Sequence, residues 1–373
     1  MTLPAILLGV ACVYYLFFVG RVIVGLRRLR HRPTSDAQPT VTVVIAARNE
    51  KKNIGDCIDS VIGQDYPADR LQVIVVDDDS EDGTLNVMNA IATVNPRVRV
   101  LTLPPRAADG IGRKPEAVRL AVEQSSSECI VTTDADCTHH PKWIQTMMAS
   151  FVSTTALVAG PVVFSDSDEG FSRVERLDFL GLVVSGAGLI GAGRPIICNG
   201  ANLAYRKSIF LRALDRVQHS SNDDGTLMSR IVTGGLGTVG FAHAPEAVVR
   251  TCGQGNFRSF FQQRGRWAAV RGRFLDPFIY AELAALFLFF IGLIAATVTA
   301  LVSPGWRLPV AGIWFIKALV DGAALSMGAR AWNVDMRWRD FLAAELFHPV
   351  SIVAATLLSF TTPFSWKGRR LKR

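Results

Sequence analysis

Two aspartates, Asp134 and Asp136, stand two positions apart at the end of an apolar, β-branched run that predicts a buried strand. Carboxylates at i and i+2 share one face of a strand, and where the chain turns at the strand end both can converge on one cation. This pattern suits a hard ion such as Mg²⁺ or Mn²⁺, which takes few protein ligands and leaves positions for substrate phosphates. Because an isolated Asp-x-Asp is more often a solvated acidic loop, the surrounding residues decide its meaning.

The residues around this pair predict an α/β sheet whose strands run parallel. Short apolar runs alternate with helical stretches, the runs being 41–46, 71–76, 98–103 and 129–133. The helical stretches are one ending at Ile62 and two covering 83–94 and 114–126. Ligands of such sheets bind beyond the carboxyl ends of the strands. Three of these ends carry charged clusters, namely Arg48-Asn49-Glu50, Asp77-Asp78-Asp79 and Asp134-Ala135-Asp136. The sequence therefore predicts a ligand site at that edge.

Three further polar groups follow along the chain. The first is Asn199-Gly200-Ala201-Asn202-Leu203, after a stretch from Leu157 in which we expect short strands and glycine-rich turns, including Gly186 to Gly193. The second, Ser221-Asn222-Asp223-Asp224, is an N-cap pattern that places carboxylates near a helix N-terminus. The third consists of Gln263, Arg266 and Trp267, whose spacing puts all three on one helix face.

The two ends of the chain predict membrane segments. Mean hydropathy is positive, and apolar runs of spanning length cover 3–20 (extending to Leu26), 283–301, 308–328 and 341–360. A cleaved signal peptide is the alternative for the first run, but its positive charges follow the apolar residues and no small-residue cleavage site is evident, which favours an anchor. Lys317 and Asp321, at i and i+4, are expected to pair within the third run. Three crossings after a cytoplasmic domain would leave the basic tail outside, so we expect 341–360 to lie in the interface or re-enter.

Basic residues are concentrated beside these apolar segments. The net charge is +8, and five Arg lie within 21–32, six within 250–273 and five Lys or Arg within 367–373. Anionic lipid headgroups attract such clusters, so an anionic membrane surface is the expected partner and nucleic acid is not. The six cysteines form no Cys-x-x-Cys pair, which favours free thiols in a reducing compartment, with Cys12 and Cys129 buried in apolar runs.

Taken in order, these groups resemble membrane-bound members of glycosyltransferase family 2, the nucleotide-sugar enzymes with a GT-A fold. The resemblance runs from about Val41 to Trp267 and consists of five motifs in the family's order. They are 75–84 (VVDDDSEDGT), Asp134-Ala135-Asp136, 199–203 (NGANL), 223–227 (DDGTL) and 263–267 (QRGRW), the last fitting the family's Gln-x-x-Arg-Trp signature.

The resemblance implies an α/β fold, a GT-A type nucleotide-sugar-binding sheet flanked by transmembrane helices. The domains that we expect are an N-terminal transmembrane anchor (1–26), a basic linker (27–40), the GT-A domain (41–276), C-terminal membrane segments (277–362) and a basic tail (363–373).

It also implies roles for residues that would hold the donor. Asp77 or Asp78 would bind the uracil and ribose of a UDP-sugar, because carboxylates accept hydrogen bonds from a base N–H and from sugar hydroxyls. Asp134 and Asp136 would bind the Mg²⁺ or Mn²⁺ that neutralises the diphosphate leaving group, with Asp134 also near the nucleotide. Lys114, after the Gly110–Gly112 loop, would contact the nucleotide, although a solvated lysine at a helix start is an equal alternative.

The remaining roles concern transfer and the acceptor. Asp224 would be the general base, with Asp223 as the alternative because the family's usual Glu-Asp pair is here two aspartates; a capping role for both is also open. Gln263 and Arg266 would hold the diphosphate. Trp267 would present an aromatic wall to the acceptor, or else anchor the helix at the membrane interface.

The function implied is that of an inverting, metal-dependent glycosyltransferase. It would transfer a sugar from a nucleotide-sugar donor, a UDP-hexose, to a membrane lipid or isoprenoid acceptor at the cytoplasmic face of a bacterial inner membrane. A processive polysaccharide synthase and a non-catalytic nucleotide-binding membrane scaffold remain alternatives. The sugar, the acceptor and the preferred metal stay open at this point.

Overall fold

The computed structural model describes residues 3–31, 34–104, 113–166, 170–214, 223–268, 276–361, 365–366 and 369–370. The chain divides into two compact units. The helical unit comprises Met1–Leu29, Asp166–Arg194 and Gly253–Thr362, and the sheet unit comprises Arg30–Ser165, Pro195–Cys252 and Pro363–Arg373.

The helices of the described residues are α1 (Leu3–Leu29), α2 (Ile54–Ile62), α3 (Thr84–Val94), α4 (Lys114–Gln124), α5 (Trp143–Ala149), α6 (Gly170–Gly191), α7 (Lys207–Leu214), α8 (Asp223–Thr233), α9 (Phe257–Ala268), α10 (Pro277–Val302), α11 (Arg307–Ala331) and α12 (Trp338–Thr361). The strands are β1 (Val41–Ala47), β2 (Leu71–Asp77), β3 (Val98–Thr102), β4 (Cys129–Asp134), β5 (Thr138–His139), β6 (Thr155–Ala159), β7 (Val162–Phe164), β8 (Leu203–Arg206), β9 (Thr238–Phe241), β10 (Val249–Thr251), β11 (Ser365–Trp366) and β12 (Arg369–Arg370).

The sheet unit is built on a mixed sheet of strand order β3-β2-β1-β4-β8-β6-β9 within the described residues. The strands predicted to be parallel, β1 to β4, are parallel. They are also apolar and buried, since Val43, Ile45, Val73 and Ile130 are fully inaccessible, as expected for strands covered on both faces.

Strand β8, for which no direction was predicted, runs antiparallel to β4. The reason lies just before it, where the Thr132 hydroxyl donates to the Gly200 carbonyl oxygen at 2.8 Å. The segment leading into β8 is thus fixed at the carboxyl end of β4, and a strand that begins at that edge must run back from it. A smaller sheet of order β5-β10-β7 also lies in this unit.

The helical unit contains the described helices that are long and apolar enough to cross a membrane: Leu3–Leu29, Pro277–Val302, Pro304–Ala331 and Trp338–Thr361. Each apolar run identified in the sequence therefore corresponds to one of these helices. The segment expected to re-enter or lie in the interface forms a continuous helix of 24 residues, α12, with Pro349 inside it, and its placement in the membrane stays a prediction. Its length and composition allow a full crossing.

The glycine-rich turn expected from Gly186 to Gly193 is wrong, because α6 continues through Gly191. The glycines serve helix packing. A Cβ at Gly25 of α1 would lie 1.7 Å from the Gly188 carbonyl oxygen, and one at Gly191 would lie 2.1 Å from the Gly25 carbonyl oxygen. Small residues at these positions let the backbones of α1 and α6 touch, as they do between membrane helices.

A buried polar network links α1, α11 and α12. The Lys317 ammonium donates to Asp321 at 2.8 Å and to Glu345 at 2.7 Å, and the Tyr15 hydroxyl lies 2.7 Å from Asp321 Oδ2. The expected Lys317–Asp321 pair is therefore present, and it has gained Glu345 as a further partner. Lys317 is only 1% exposed.

All six cysteines are free thiols. Cys129 is buried, as expected, whereas Cys12 is only half-buried.

Candidate active site

Two carboxylate groups stand at the same edge of the large sheet. Asp77 ends β2, Asp134 ends β4, and β1 lies between them with Ala47 opposite Asp77 and Ala46 opposite Asp134. At about 4.8 Å per strand, the backbones of the two aspartates are roughly 10 Å apart. That separation lets a nucleoside and its diphosphate bridge the two positions.

The Asp77 carboxylate is set up to accept a hydrogen bond from outside the protein. Its Oδ2 accepts from the Ser80 amide at 3.1 Å, while Oδ1 is buried and has no hydrogen-bond partner among the described residues. An unsatisfied buried acceptor costs free energy, so this oxygen has the capacity to accept a hydrogen bond from a bound ligand. Asp78 is also buried, and its amide donates to the Ala47 carbonyl oxygen at 2.8 Å.

Arg48 fixes the loop that carries these aspartates, although the sequence analysis assigned it no role. Its Nη1 donates to the carbonyl oxygens of Asp78 and Asp79, both at 2.6 Å, and its side chain is 7% exposed. Asp79 has φ 57° and Asn49 has φ 52°, left-handed conformations that asparagine and aspartate adopt more readily than other residues with a side chain. The two loops are further joined by hydrogen bonds from Asn49 N to Ser80 Oγ, Glu81 N to Asn49 Oδ1 and Glu50 N to Thr84 Oγ1.

The predicted metal ligands lie in a cluster of carboxylates. Burial raises the pKa of Asp136, and the charges of Asp134 and Glu50 raise it further, while a hydrogen bond from Thr251 acts in the opposite direction. Glu50 therefore belongs to this cluster, although the sequence analysis gave it no role. Lys114 forms an ion pair with Asp134, so two residues expected near the nucleotide are in contact.

These residues fit a divalent cation. A bound cation would oppose both causes that raise the pKa of Asp136, namely its burial and the repulsion from Asp134 and Glu50. Within the described ranges no group of three or more His, Cys, Asp or Glu side chains meets the requirements of a metal site. A Mg²⁺ or Mn²⁺ ion held by one or two carboxylates and completed by substrate phosphates needs no such group.

Asp224 is held at the start of α8 by backbone amides. Its Oδ2 accepts from Gly200 N and its Oδ1 from Gly225 N, both at 2.8 Å. Each oxygen keeps a second lone pair, so the carboxylate is oriented yet still able to accept a proton. The Gly200 amide of the Asn199–Leu203 motif is thus one of the two donors that orient Asp224. Ser221, Asn222 and the side chain of Asp223 lie outside the described residues, as do Gly110–Gly112.

Asn202 of the same motif is structural. It is fully buried, accepts from Trp143 Nε1 at 2.9 Å, and donates to the carbonyl oxygens of Pro161 and Ala247 at 2.8 Å. All its polar atoms are thus used within the fold. Asn202 therefore links the start of β8 to the segments that lead into β7 and β10.

Gln263, Arg266 and Trp267 lie on α9, in the helical unit. The helix predicted for them is confirmed. Gln263 Oε1 is a buried acceptor for which the described part of the chain offers no donor. The Trp267 ring packs 5.6 Å from Phe179, with the Arg264 guanidinium 4.6 Å from its centre. The predicted site residues therefore divide between the two units, with Asp77, Asp78, Lys114, Asp134, Asp136 and Asp224 in the sheet unit.

Comparison with known proteins agrees with this architecture. Residues 42–212 match the family model "Glycosyl transferase family 2". The mannosyltransferase PcManGT of Pyrobaculum calidifontis, solved with GDP-Man and Mn²⁺, superposes with a TM-score of 0.56 at 19% identity, covering 95% of this chain and 99% of that one. The sheet is thus of GT-A type. The segment 42–212 is a glycosyltransferase family 2 domain, to which the chain adds four helices of membrane-spanning length and composition within its described residues.

Curated relatives are similar over parts of the chain. Glycosyltransferase AglE of Haloferax volcanii is 30% identical over 141 residues, which is 38% of this chain and 44% of that protein. An N-acetylglucosaminyltransferase of Sinorhizobium fredii is 27% identical over 267 residues, covering 67% and 61%. A β-monoglucosyldiacylglycerol synthase of Synechocystis is 29% identical over 117 residues, covering 31% and 24%. The chain thus spans less than two thirds of the length of these relatives.

Proposed function

We propose that this protein is an inverting glycosyltransferase that moves a hexose from a UDP-sugar to a membrane lipid or isoprenoid acceptor. The observation that carries the proposal is the arrangement at one sheet edge, where the unsatisfied Asp77 Oδ1 lies two strands from the Asp134–Asp136 cluster. The family 2 domain and the names of the relatives support the same chemistry.

The donor end of the site follows from hydrogen-bonding capacity. Asp77 accepts from the base or ribose through Oδ1, with Asp78 beside it on the loop that Arg48 fixes. Asp134 and Asp136 would hold Mg²⁺ or Mn²⁺, which supplies charge neutralisation for the diphosphate leaving group. Lys114 lies against Asp134, where its ammonium is also within reach of a phosphate.

Asp224 acts as the general base in this proposal. Its carboxylate takes the proton from the acceptor hydroxyl as that oxygen attacks the anomeric carbon from the side opposite the diphosphate. A single displacement of this kind inverts the anomeric centre. The amides of Gly200 and Gly225 orient the carboxylate for that task, and such proton transfer typically contributes about 10²–10⁴-fold to a rate. Asp223 remains the alternative base, and Gln263 and Arg266 are proposed to hold the diphosphate.

A lipid acceptor is favoured by the packing of α9 within the helical unit. The Phe260 ring of α9 lies 5.4 Å from the Phe347 ring of α12, a helix whose length and composition suit a membrane span. The helix that carries Trp267 therefore packs directly on a candidate membrane helix. Trp267 would then offer its ring to an acceptor that resides in the bilayer. The name of the Synechocystis relative, a diacylglycerol-based synthase, agrees with such an acceptor.

We further propose that the helical unit is integral to a bacterial inner membrane, with the sheet unit in the cytoplasm. The arginines within 21–32, in the last turns of α1 and just after it, favour this orientation by the positive-inside bias. Cys252, an exposed thiol of the sheet unit, provides a test. In a Cys12→Ser/Cys198→Ser background, a membrane-impermeant maleimide should label it only after lysis, and labelling in intact cells would contradict the orientation.

The activity is tested with the full-length protein in non-ionic detergent. It is incubated with Mn²⁺ or Mg²⁺, a membrane lipid extract and radiolabelled UDP-glucose, UDP-galactose, UDP-N-acetylglucosamine or GDP-mannose. Label in the organic phase that requires Asp224 supports the proposal. Label in an ethanol-insoluble polymer would identify a processive synthase, use of GDP-mannose alone would contradict the UDP assignment, and UDP binding without transfer would indicate a scaffold.

A further inference from the structure

The helix α9 is held by a buried ion pair through Arg264, a variable position of the Gln-x-x-Arg-Trp signature that lies beside its fixed residues. Arg264 donates through Nε and Nη2 to Asp178 Oδ2 of α6, at 3.0 and 2.8 Å. The side chains are 9% and 6% exposed, respectively. The pair therefore ties α9 to α6 inside the helical unit.

The same arginine contacts the signature tryptophan. Its guanidinium carbon lies 4.6 Å from the centre of the Trp267 ring, 4.9 Å from that of Phe260 and 5.5 Å from that of Phe179. A planar guanidinium stacks on aromatic faces while its edge donates hydrogen bonds. Arg264 thus connects the orientation of the Trp267 ring to the position of Asp178.

The connection continues to α12. Asp178 Oδ1 lies 3.3 Å from the Ser351 hydroxyl, which is also 2.9 Å from the His348 carbonyl oxygen. Asp178 therefore stands between α9 and α12. Through this one carboxylate, the rotation of α9 about its axis is fixed relative to two other helices.

A buried ion pair of this kind contributes little net stability, because desolvation of both charges offsets their attraction. It contributes geometric specificity instead, since a forked arginine meets its partner in few orientations. The Nη1 nitrogen of Arg264 is buried and has no hydrogen-bond partner among the described residues. Such a group costs free energy, so a contact selected for stability alone would avoid it.

We propose that Arg264 and Asp178 are positioning residues for transfer. They fix the rotation of α9 so that Gln263, Arg266 and Trp267 face their substrates together, and they set the plane of the Trp267 ring. This inference rests on the proposed function, because it assigns the pair a role in presenting the acceptor. Neither residue touches the reacting atoms.

The test compares Arg264→Gln and Arg264→Lys with Arg258→Gln, a matched change at an exposed position of the same helix. Each full-length variant is purified in non-ionic detergent and the monodisperse fraction is assayed. We measure kcat and KM for the acceptor, the Kd for UDP with Mn²⁺, and thermal stability. Misplacement of a substrate by about 1 Å typically costs on the order of 10²-fold in rate.

Arg264→Gln is expected to lower kcat/KM for the acceptor by about 10²-fold while the Kd for UDP changes less than about threefold. Arg264→Lys is the decisive variant. Lysine keeps the positive charge opposite Asp178, but it cannot stack on the Trp267 ring while donating two hydrogen bonds to Asp178. The Arg264→Lys protein should recover thermal stability without recovering kcat/KM for the acceptor. Recovery of both would show that the pair is only structural, as would an Arg264→Gln rate equal to that of Arg258→Gln.

If Arg264→Gln does not yield a monodisperse fraction, Arg264→Lys alone decides between these outcomes. Failure of the proposed function is distinguishable, since the wild-type protein would then transfer no sugar while its UDP affinity is still measured.

Discussion

Replacement of Lys317 by methionine is expected to destabilise the helical unit far more than replacement of Glu345 by glutamine. Lys317 is the one cation hydrogen-bonded to both Asp321 and Glu345 in the described part of the bundle, at 2.8 and 2.7 Å. Without it, two buried carboxylates face each other. Without the charge of Glu345, Lys317 and Asp321 remain a neutral pair to which Tyr15 adds a hydrogen bond.

The size of each loss in folding stability follows from the number of buried charges that the substitution leaves unpaired. Loss of one partner of a buried ion pair costs about 3–5 kcal/mol, because the other charge stays buried and uncompensated. Lys317 is 1% exposed and Glu345 5% exposed, so solvent relieves little of this cost. Glu345→Gln retains an acceptor for the ammonium and is expected to cost about 0–1 kcal/mol. At about 1.4 kcal/mol per tenfold change, the two variants should differ by roughly two orders of magnitude in their folding equilibrium.

The assay is equilibrium unfolding of the full-length protein from non-ionic detergent by a denaturing detergent, followed by tryptophan fluorescence. Lys52→Met, at an exposed position of the sheet unit, is the control for loss of one lysine and should stay within about 0.5 kcal/mol of wild type. A Lys317→Met protein within about 1 kcal/mol of wild type would refute the argument that this network is desolvated and charge-coupled.

Three further outcomes concern the sheet unit. Asp136→Ala should abolish transfer while the protein stays folded and membrane-bound, and normal turnover with unchanged metal dependence would remove Asp136 from the site. Asp224→Asn should retain UDP binding but lose about 10²–10⁴-fold in kcat; a loss below roughly tenfold, or a larger loss in Asp223→Asn, would contradict the choice of base. Arg48→Met should raise the Kd for UDP, measured by titration calorimetry, because the loop carrying Asp77 loses its clamp, and an affinity equal to that of Lys52→Met would contradict that role.

Much of the sheet could be predicted because its strands are short apolar runs with abrupt polar ends. β1 to β4 match the predicted runs to within a residue at either end, and Asp77 and Asp134 fall where a parallel sheet presents its ligands. The helices of membrane-spanning length and composition could be predicted equally well, since a run of about twenty apolar residues leaves few alternatives. In both cases one local pattern determines the structure.

The features that could not be predicted depend on contacts between residues that are distant in the sequence. The glycines of α6 have the composition of a turn, and only the approach of α1 makes them a helix interface. Glu345 lowers the hydropathy of the run that forms α12. Its burial is compensated by the hydrogen bond from Lys317, which lies 28 positions earlier in the chain. Arg264 is indistinguishable in sequence from the neighbouring arginines until Asp178 is seen beside it. No spacing rule connects such pairs.

The contact between α1 and α6 has a practical consequence for expression of this protein. A leader helix taken from a membrane protein would carry larger side chains at the place of Gly25, where a single methyl group would already overlap the backbone of α6 at Gly188. Fusions that exchange the first helix for a generic anchor should therefore yield material that inserts but does not assemble. Tags belong ahead of an intact α1, because this helix is a building block of the fold and cannot be treated as a tether.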